Sequence, residues 1–156
     1  GRGDCQVTAP YAVIFDIDGT IADCNHRRYL VEGVDKDWKR FRSLAGDDTQ
    51  SPMVCRLFRS FRDSALYTII LVTGRYEEDR RLTESWLAWH GLTQYADLHM
   101  RADGDSRPDY EVKLGIYKYL IEPHYDVKLV VDDRTSVVNM WRSLGLVCWQ
   151  VAEGNF

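Results

Sequence analysis

The sequence predicts an α/β fold: a doubly wound parallel sheet of about five strands, with helices on both faces and a small insert after the first strand. Three largely apolar runs, at 11–15, 67–72 and 127–131, are typical of strands that are buried on both faces. Segments with a helical spacing of apolar residues alternate with these runs. Such alternation favours parallel strands that are joined by crossover helices.

Residues that start or stop helices divide the rest of the chain into elements. They are an N-cap serine, a first-turn proline and the terminating glycines and proline, namely Ser51, Pro52, Gly91, Pro123 and Gly145. The predicted elements are, in order, a helix from 52, a strand at 67–72, a helix at 77–90, a strand at 97–100, a helix at 109–122, a strand at 127–131, a helix at 135–144 and a strand at 146–151. In the second of these helices, Trp86 and Trp89 are predicted to face the core.

The length of 156 residues is that of one domain. We expect residues 1–10 to form a loose N-terminus and residues 11–156 to form a single domain. Within it, a polar and charged segment at about 23–50 is expected to form a small cap-like insert. The spacing of Trp38, Phe41 and Leu44 predicts a short amphipathic helix inside this insert.

Composition argues against several classes of protein. The four cysteines have no paired spacing, so neither a disulfide scaffold nor a zinc cluster is indicated, and a cytoplasmic protein is expected. No apolar segment approaches about 20 residues and no leader is recognisable, so we expect no membrane span. The net charge of −4 argues against a protein that generally coats nucleic acid. Basic residues nevertheless concentrate between positions 27 and 62.

Two aspartates end the first apolar run. Asp16 and Asp18 follow the predicted strand, and Gly19 supplies a backbone that can turn sharply there. Ligands of open α/β sheets bind at the carboxyl ends of the strands, so this position is a candidate site. An ordinary Asp-Gly turn remains the alternative for this motif taken alone.

Three further groups of polar residues lie at matching places. The second apolar run ends in a Thr-Gly-Arg tripeptide at 73–75, whose hydroxyl, flexible backbone and guanidinium suit a phosphate. Lys113 lies in the first turn of a helix, where a cation opposes the helix dipole, which favours a functional role. Asp132 and Asp133 end the third run, and two adjacent carboxylates repel each other unless a hard cation such as Mg²⁺ shares the site. A surface turn is the alternative for this pair alone.

This ordered set resembles the signature of the haloacid dehalogenase superfamily of phosphotransferases, which is D-x-D-G-T, then Ser or Thr, then Lys, then paired acidic residues. From Lys113 onward the chain is similar to the 3′-phosphatase domain of bacteriophage polynucleotide kinase-phosphatase, especially at 126–129, 132–135, 140–142 and 148–152. The resemblance covers nearly the whole chain and is weakest at 23–50. Thr73 stands where the phage family has serine, which is a conservative change.

The resemblance implies a role for each site residue. It implies that Asp16 is the nucleophile and that Asp18 is the general acid and base. Thr73 and Lys113 are the implied catalytic partners that hold the phosphate. The residues implied in substrate binding are Gly74, Arg27, Arg75, Asp109 and Arg134. The implied Mg²⁺ site comprises Asp16, the backbone carbonyl of Asp18, and Asp132. Asp133 is the fourth implied member, which orients either the waters of the metal or Lys113.

Three functions are compatible with this resemblance. The first is Mg²⁺-dependent removal of 3′-terminal phosphates from DNA or RNA ends, and the second is a phosphatase of free nucleotides. The third is a non-catalytic binder of nucleic-acid ends, which would not need both Asp16 and Asp18. No G-x-x-x-x-G-K followed by Ser or Thr occurs, so a kinase domain would be separate from this chain or excised from it. Preference between DNA and RNA and the oligomeric state are left open.

Overall fold

The computed structural model describes residues 8–156, so the predicted loose N-terminus at 1–10 lies largely outside the described residues. The described chain forms, in order, β1 (Tyr11–Phe15), β2 (Ala22–Asp23), α1 (Asn25–Arg28), α2 (Trp38–Ser43), β3 (Thr49–Gln50), α3 (Pro52–Asp63), β4 (Thr68–Tyr76), α4 (Arg80–Trp89), β5 (Asp97–Arg101), α5 (Asp109–Ile116), β6 (Asp126–Asp132), α6 (Thr135–Ser143) and β7 (Cys148–Gln150). A π-helical turn at Tyr117–Ile121 continues α5.

Five strands form one sheet in the order β5-β4-β1-β6-β7. Every neighbouring pair in this sheet is parallel. The predicted fold class is therefore confirmed. Because β1 lies between β4 and β6, the residues that follow these three strands meet at one edge of the sheet.

Apolar side chains cover both faces of the sheet. Successive residues of a strand point to opposite faces, so neighbouring residues of β1 join different clusters. Phe15 belongs to one cluster, where it packs on Phe58 of α3 with ring centroids 5.4 Å apart. Ile14 belongs to the other cluster, together with Trp141 of α6. The sheet thus has a buried layer on each face, as a doubly wound fold requires.

The segment predicted as an insert contains α1, α2 and two short strands. β2 and β3 pair antiparallel, with Ala22 opposite Gln50, and bring the two ends of the segment together. The helix predicted from Trp38, Phe41 and Leu44 is present as α2, but it ends before Leu44 and has no buried residue, and Trp38 is 54% exposed, so its amphipathic character is not confirmed. The role of this segment as a cap stays a prediction.

The structure differs from the sequence expectations in two places. β4 continues past the expected end at Val72 to Tyr76, and its register with β5 shifts between these residues. The prediction that Trp89 is a core residue is wrong, since it is 86% exposed. The buried stripe of α4 runs through Trp86 and Leu87, and at 100° per residue Trp89 lies about 110°, or a third of a turn, from the middle of these two residues.

Three of the four cysteines lie in the described part of the chain. Cys24, Cys55 and Cys148 are buried free thiols, whereas Cys5 lies outside the described residues. No helix in the described part of the chain has the length and apolar character that a membrane span requires.

Replacing Phe58 by alanine should lower the free energy of unfolding by about 3–5 kcal/mol, because it removes a fully buried ring between α3 and β1 and leaves a cavity. Urea denaturation followed by circular dichroism measures this change. The matched control on the same helix is Met53→Ala, which should change the value by less than about 0.5 kcal/mol since Met53 is 72% exposed. Equal effects of the two substitutions would contradict the packing described here.

Candidate active site

The turn after β1 is fixed by close approach to the end of β6. The Asp16 N–H continues the pairing of β1 with β6 by donating to Val131 O at 3.0 Å. The chain then turns at Gly19, whose φ of +79° lies in the left-handed region. A Cβ at this position would overlap with Asp133 Oδ2. Glycine is therefore required here both for its backbone conformation and for its lack of a side chain.

A buried lysine joins the carboxylates at the ends of β1 and β6. Lys113 Nζ lies 2.8 Å from Asp16 Oδ1 and 3.1 Å from Asp132 Oδ2. Asp132 Oδ2 also accepts from Trp141 Nε1 at 3.1 Å, and Asp132 Oδ1 accepts from the Asp133 N–H at 2.8 Å. These contacts hold α5 and α6 against the ends of two neighbouring strands.

Burial has a large effect on the ionisation of these groups. Burial and the carboxylate of Asp132 raise the pKa of Asp16 well above its usual value, although Lys113 opposes this change. Burial alone would lower the pKa of Lys113, but Asp132 and Asp16 outweigh it and raise that pKa well above its usual value. Burial also raises the pKa of Asp133. The nearby positive charge is therefore too small to offset the effect of burial on the pKa values of Asp16 and Asp133.

Asp16, Asp132 and Asp133 form an acidic cluster, in which one ligand oxygen of each lies within 4.8 Å of the others. Three carboxylates face the ammonium of Lys113 and the guanidinium of Arg28, whose Nη2 lies 3.7 Å from Asp133 Oδ2, so one negative charge is in excess when all are ionised. Asp133 Oδ2 is buried and has no hydrogen-bond partner among the described residues. A hard divalent cation would satisfy this oxygen and balance the charge, so the three side chains fit a divalent metal ion.

Two arginines hold the Asp18 side chain apart from the acidic cluster. Arg75 donates to the Asp18 carboxylate through Nη2 at 2.6 Å and Nε at 3.0 Å, and Arg27 Nη2 donates to it at 2.8 Å. Burial would raise the pKa of Asp18, but Arg75 and then Arg27 lower it to about 2. Asp18 is therefore ionised at neutral pH, and its side chain keeps an exposure of 29%, which a ligand can reach.

Asp48 from the insert anchors both arginines. Its carboxylate accepts from Arg27 Nε at 2.8 Å and Nη2 at 2.7 Å, and from Arg75 Nη2 at 3.4 Å. His26 Nε2 lies 2.6 Å from the same carboxylate, and Trp86 Nε1 donates to the Asp48 backbone carbonyl at 2.8 Å. The insert therefore determines where the two guanidinium groups lie.

The predicted Thr-Gly-Arg tripeptide lies along the end of β4. Thr73 is buried, and its Oγ1 accepts from the Arg75 N–H at 3.2 Å. A Cβ on Gly74 would overlap with the Asp109 carboxylate, which lies at the start of α5. Asp109 also pairs with Arg101 at 3.3 Å. A residue with a side chain at position 74 would therefore displace α5 or the Asp109 carboxylate from the site.

Arg134 lies at the edge of the site. Its Nη1 is 3.9 Å from Asp109 Oδ2, and its Nε donates to Phe156 O at 2.9 Å. Asp109 Oδ2 is also 3.8 Å from Lys113 Nζ. The structure thus groups the predicted residues around two centres, Lys113 with Asp16, Asp109 and Asp132, and Asp18 with Arg27 and Arg75. Their roles in binding a substrate stay predictions.

Sequence reasoning missed three polar contacts of the site. Thr20 Oγ1 lies 2.9 Å from Asp16 Oδ2 and 3.3 Å from Asp133 Oδ1, and its place in D-x-D-G-T was the signal available for it. Trp141 lies in the segment 140–142 that carries the family resemblance but was given no role, although a buried indole N–H needs an acceptor. Asp48 follows the helical spacing of the insert and belongs to no motif, so the sequence contains no signal for it.

Comparison with known proteins identifies the family. A family model described as the polynucleotide kinase PNKP phosphatase domain matches residues 10–156. The chain belongs to this family. It is therefore a phosphatase with the haloacid dehalogenase fold, and the resemblance stated from the motifs is confirmed.

Several relatives share this domain. A bifunctional polynucleotide kinase/RNA ligase of Autographa californica nuclear polyhedrosis virus is 29% identical over 136 residues, which cover 86% of this chain and 18% of the viral protein. Chains in two solved structures of a Pnkp1/Rnl/Hen1 complex, one described as an RNA repair complex, are each 34% identical, with TM-scores of 0.84 and 0.81. The match covers 96% of this chain and 48% and 45% of those chains.

A more distant structure shows the shared fold. The HAD-hydrolase YfnB from Bacillus subtilis, solved with bound magnesium, is 12% identical, with a TM-score of 0.61 over 93% of both chains. The present chain spans about a fifth of the viral relative and about half of the chains from the Pnkp1/Rnl/Hen1 complex.

Replacing Arg75 by glutamine should raise the pKa of Asp18 above about 2, because burial would then be opposed mainly by Arg27. The ¹³C shift of the Asp18 carboxyl, assigned by its loss in Asp18→Asn, measures this pKa. Arg107→Gln is the control, since Arg107 pairs with Asp105 in an exposed loop. An unchanged pKa of Asp18 in Arg75→Gln would contradict the electrostatic description.

Proposed function

We propose that this chain removes 3′-terminal phosphates from DNA or RNA ends in a Mg²⁺-dependent reaction with an aspartyl-phosphate intermediate on Asp16. The observation that carries the proposal is the contrast between two neighbouring aspartates. Asp16 lies in a buried acidic cluster beside Lys113, whereas Asp18 lies between two arginines. The family match supports this reaction class, and the names of the relatives support nucleic-acid ends as the substrate.

The proposed reaction has two steps. In the first, a carboxylate oxygen of Asp16 attacks phosphorus, the bond from phosphorus to the 3′ oxygen breaks, and Asp18 donates a proton to that oxygen. In the second, Asp18 takes a proton from a water molecule that attacks phosphorus, and the bond to Asp16 breaks to release inorganic phosphate. Both carboxyl groups thereby return to their starting states.

Asp18 must carry a proton in the first step, although the free protein holds it ionised. Arg27 and Arg75 cause that ionisation, and guanidinium groups also donate well to phosphate oxygens. A phosphate that binds beside Asp18 competes for the same donors. In this proposal, substrate binding weakens the ion pairs of Asp18 and so allows the carboxyl to be protonated when the leaving oxygen needs a proton.

The acidic cluster is the proposed Mg²⁺ site. Asp16, Asp132 and Asp133 would hold the ion, together with the backbone carbonyl of Asp18 that the family resemblance implies. The bound ion would neutralise negative charge that otherwise repels an anionic nucleophile from an anionic phosphate. The Asp133 oxygen without a hydrogen-bond partner and the excess of negative charge support this assignment.

Lys113 and Thr73 are the remaining proposed partners of the reacting phosphate. Lys113 Nζ lies 2.8 Å from the nucleophilic carboxylate, so its charge lies where the new bond to phosphorus would form. Thr73 lies at the end of β4, next to β1, and offers a hydroxyl donor. Donors that are held in place by the fold stabilise the developing charge without reorganisation.

The proposed substrate class is tested by chain length. The efficiency kcat/KM should be higher for a short 3′-phosphate oligonucleotide than for a 3′-mononucleotide, because the longer substrate has further phosphates to pair with arginines. Added salt should weaken binding of the oligonucleotide more than binding of the mononucleotide, because the longer substrate releases more counterions when it binds. Steady-state release of inorganic phosphate at several salt concentrations measures both effects.

The control for this experiment is Asp16→Asn, which should abolish turnover of every substrate because an amide is not a nucleophile. The parent should form a trapped complex with beryllium fluoride, and this variant should not. Preference for free 5′-nucleotides would favour the nucleotidase function instead. Near-parental turnover by Asp16→Asn would show that the nucleophile is another residue.

Removing Mg²⁺ with a chelator should abolish activity, and adding it back should restore activity, because the acidic cluster otherwise keeps excess negative charge. Binding should also raise the melting temperature of the parent by linkage. This rise should be smaller in Asp132→Asn and unchanged in the control Asp105→Asn, since Asp105 lies outside the cluster. Full activity in excess chelator would rule out a metal-dependent reaction.

A further inference from the structure

A partly exposed aromatic ring contacts two arginines at the edge of the acidic cluster. The residue that carries it, Phe156, is 57% exposed. The guanidinium carbon of Arg28 lies 4.5 Å from its ring centroid, and that of Arg134 lies 5.2 Å from it. Arg134 Nε also donates to the Phe156 backbone carbonyl at 2.9 Å. The ring is thus held in place while much of its surface faces solvent.

Both arginines also reach carboxylates of the catalytic site. Arg28 Nη2 lies 3.7 Å from Asp133 Oδ2, and Arg134 Nη1 lies 3.9 Å from Asp109 Oδ2. These distances are longer than those of strong ion pairs, and the two side chains keep exposures of 30% and 37%. Each guanidinium group therefore has donors that a further anion can use.

The segment that carries the ring is fixed to the site through its backbone. Gly154 O accepts from the Thr135 N–H at 3.0 Å, and Gly154 lies so close to the backbone of Asp133 that a Cβ would overlap with it. Gln150 Nε2 donates to Asp133 O at 3.0 Å. The position of Phe156 relative to the acidic cluster is therefore set by the fold.

We propose that Phe156, Arg28 and Arg134 form a subsite for the nucleotide that carries the reacting phosphate. The base of this nucleotide stacks on the exposed Phe156 ring, and the preceding phosphodiester pairs with the two guanidinium groups. An aromatic ring beside cations is the combination with which proteins bind single-stranded nucleic acid. This inference rests on the proposed function, because it assigns the substrate of the same site.

The stacking contact is tested with two 3′-phosphate oligonucleotides that differ only in whether the terminal sugar carries a base. Phe156→Ala should raise KM for the substrate with the base by about tenfold, since base stacking on an aromatic ring contributes an effect of this size. The KM for the abasic substrate should rise by much less. Phe156→Trp should restore the preference for the base, and Trp89→Ala, which removes an exposed ring elsewhere, should leave it unchanged.

The phosphate contact is tested by the salt dependence of KM for the oligonucleotide. Arg28→Gln should reduce the slope of log KM against log salt by about 0.7, which is the value for one phosphate contact on a single strand. Arg107→Gln, in an exposed loop, should leave the slope unchanged. An unchanged slope in Arg28→Gln would overturn the assignment of this arginine.

The substrate preference of the parent enzyme distinguishes failure of this inference from failure of the proposed function. If the parent prefers the oligonucleotide but Phe156→Ala changes KM equally for the substrates with and without the base, Phe156 has only a structural role and the subsite is wrong. The same conclusion follows if Phe156→Trp does not restore the preference. If the parent prefers free 5′-nucleotides, the proposed function is wrong, and the proposed subsite is then wrong as well.

Discussion

The ion pairs of Lys113 with Asp16 and Asp132 are the constraint on which the rest of the site depends. A buried charge without a partner costs roughly several kcal/mol, so the ammonium on α5 must meet the carboxylates at the ends of β1 and β6. This requirement fixes α5 against the sheet and keeps the two strand ends level. The three carboxylates of the acidic cluster still carry excess negative charge, which is why they fit a metal ion.

The parts of the fold that the sequence predicted are those that depend on local patterns. Largely apolar runs predicted β1, β4 and β6, and their polar ends predicted Asp16 and Asp132, because parallel strands bring such ends to one edge of the sheet. Asp48 was not predictable, since its role arises only when it meets Arg27 of α1 and Arg75 of β4 in the folded chain. Trp89 was assigned wrongly because several helix residues fit an apolar stripe, and only tertiary packing selects the buried one.

Asp48 makes the insert part of the electrostatics of the site. It holds Arg27 and Arg75, and these two residues in turn hold Asp18. The sequence presented the insert as a segment that covers or exposes the strand ends. The structure also connects it to the ionisation of Asp18, so a substitution in the insert can alter the pKa of Asp18 without contacting its carboxylate.

The end of β4 limits how this part of the chain can vary in length. Thr73 and Arg75 are buried towards the site, whereas Gly74 between them abuts Asp109, as the alternation of side chains along a strand dictates. One inserted or deleted residue before position 73 would move each following residue to the opposite face of β4. The side chains of Thr73 and Arg75 would then both point away from the site. Natural variation in this segment should therefore consist of substitutions, such as serine for Thr73, and not of insertions or deletions.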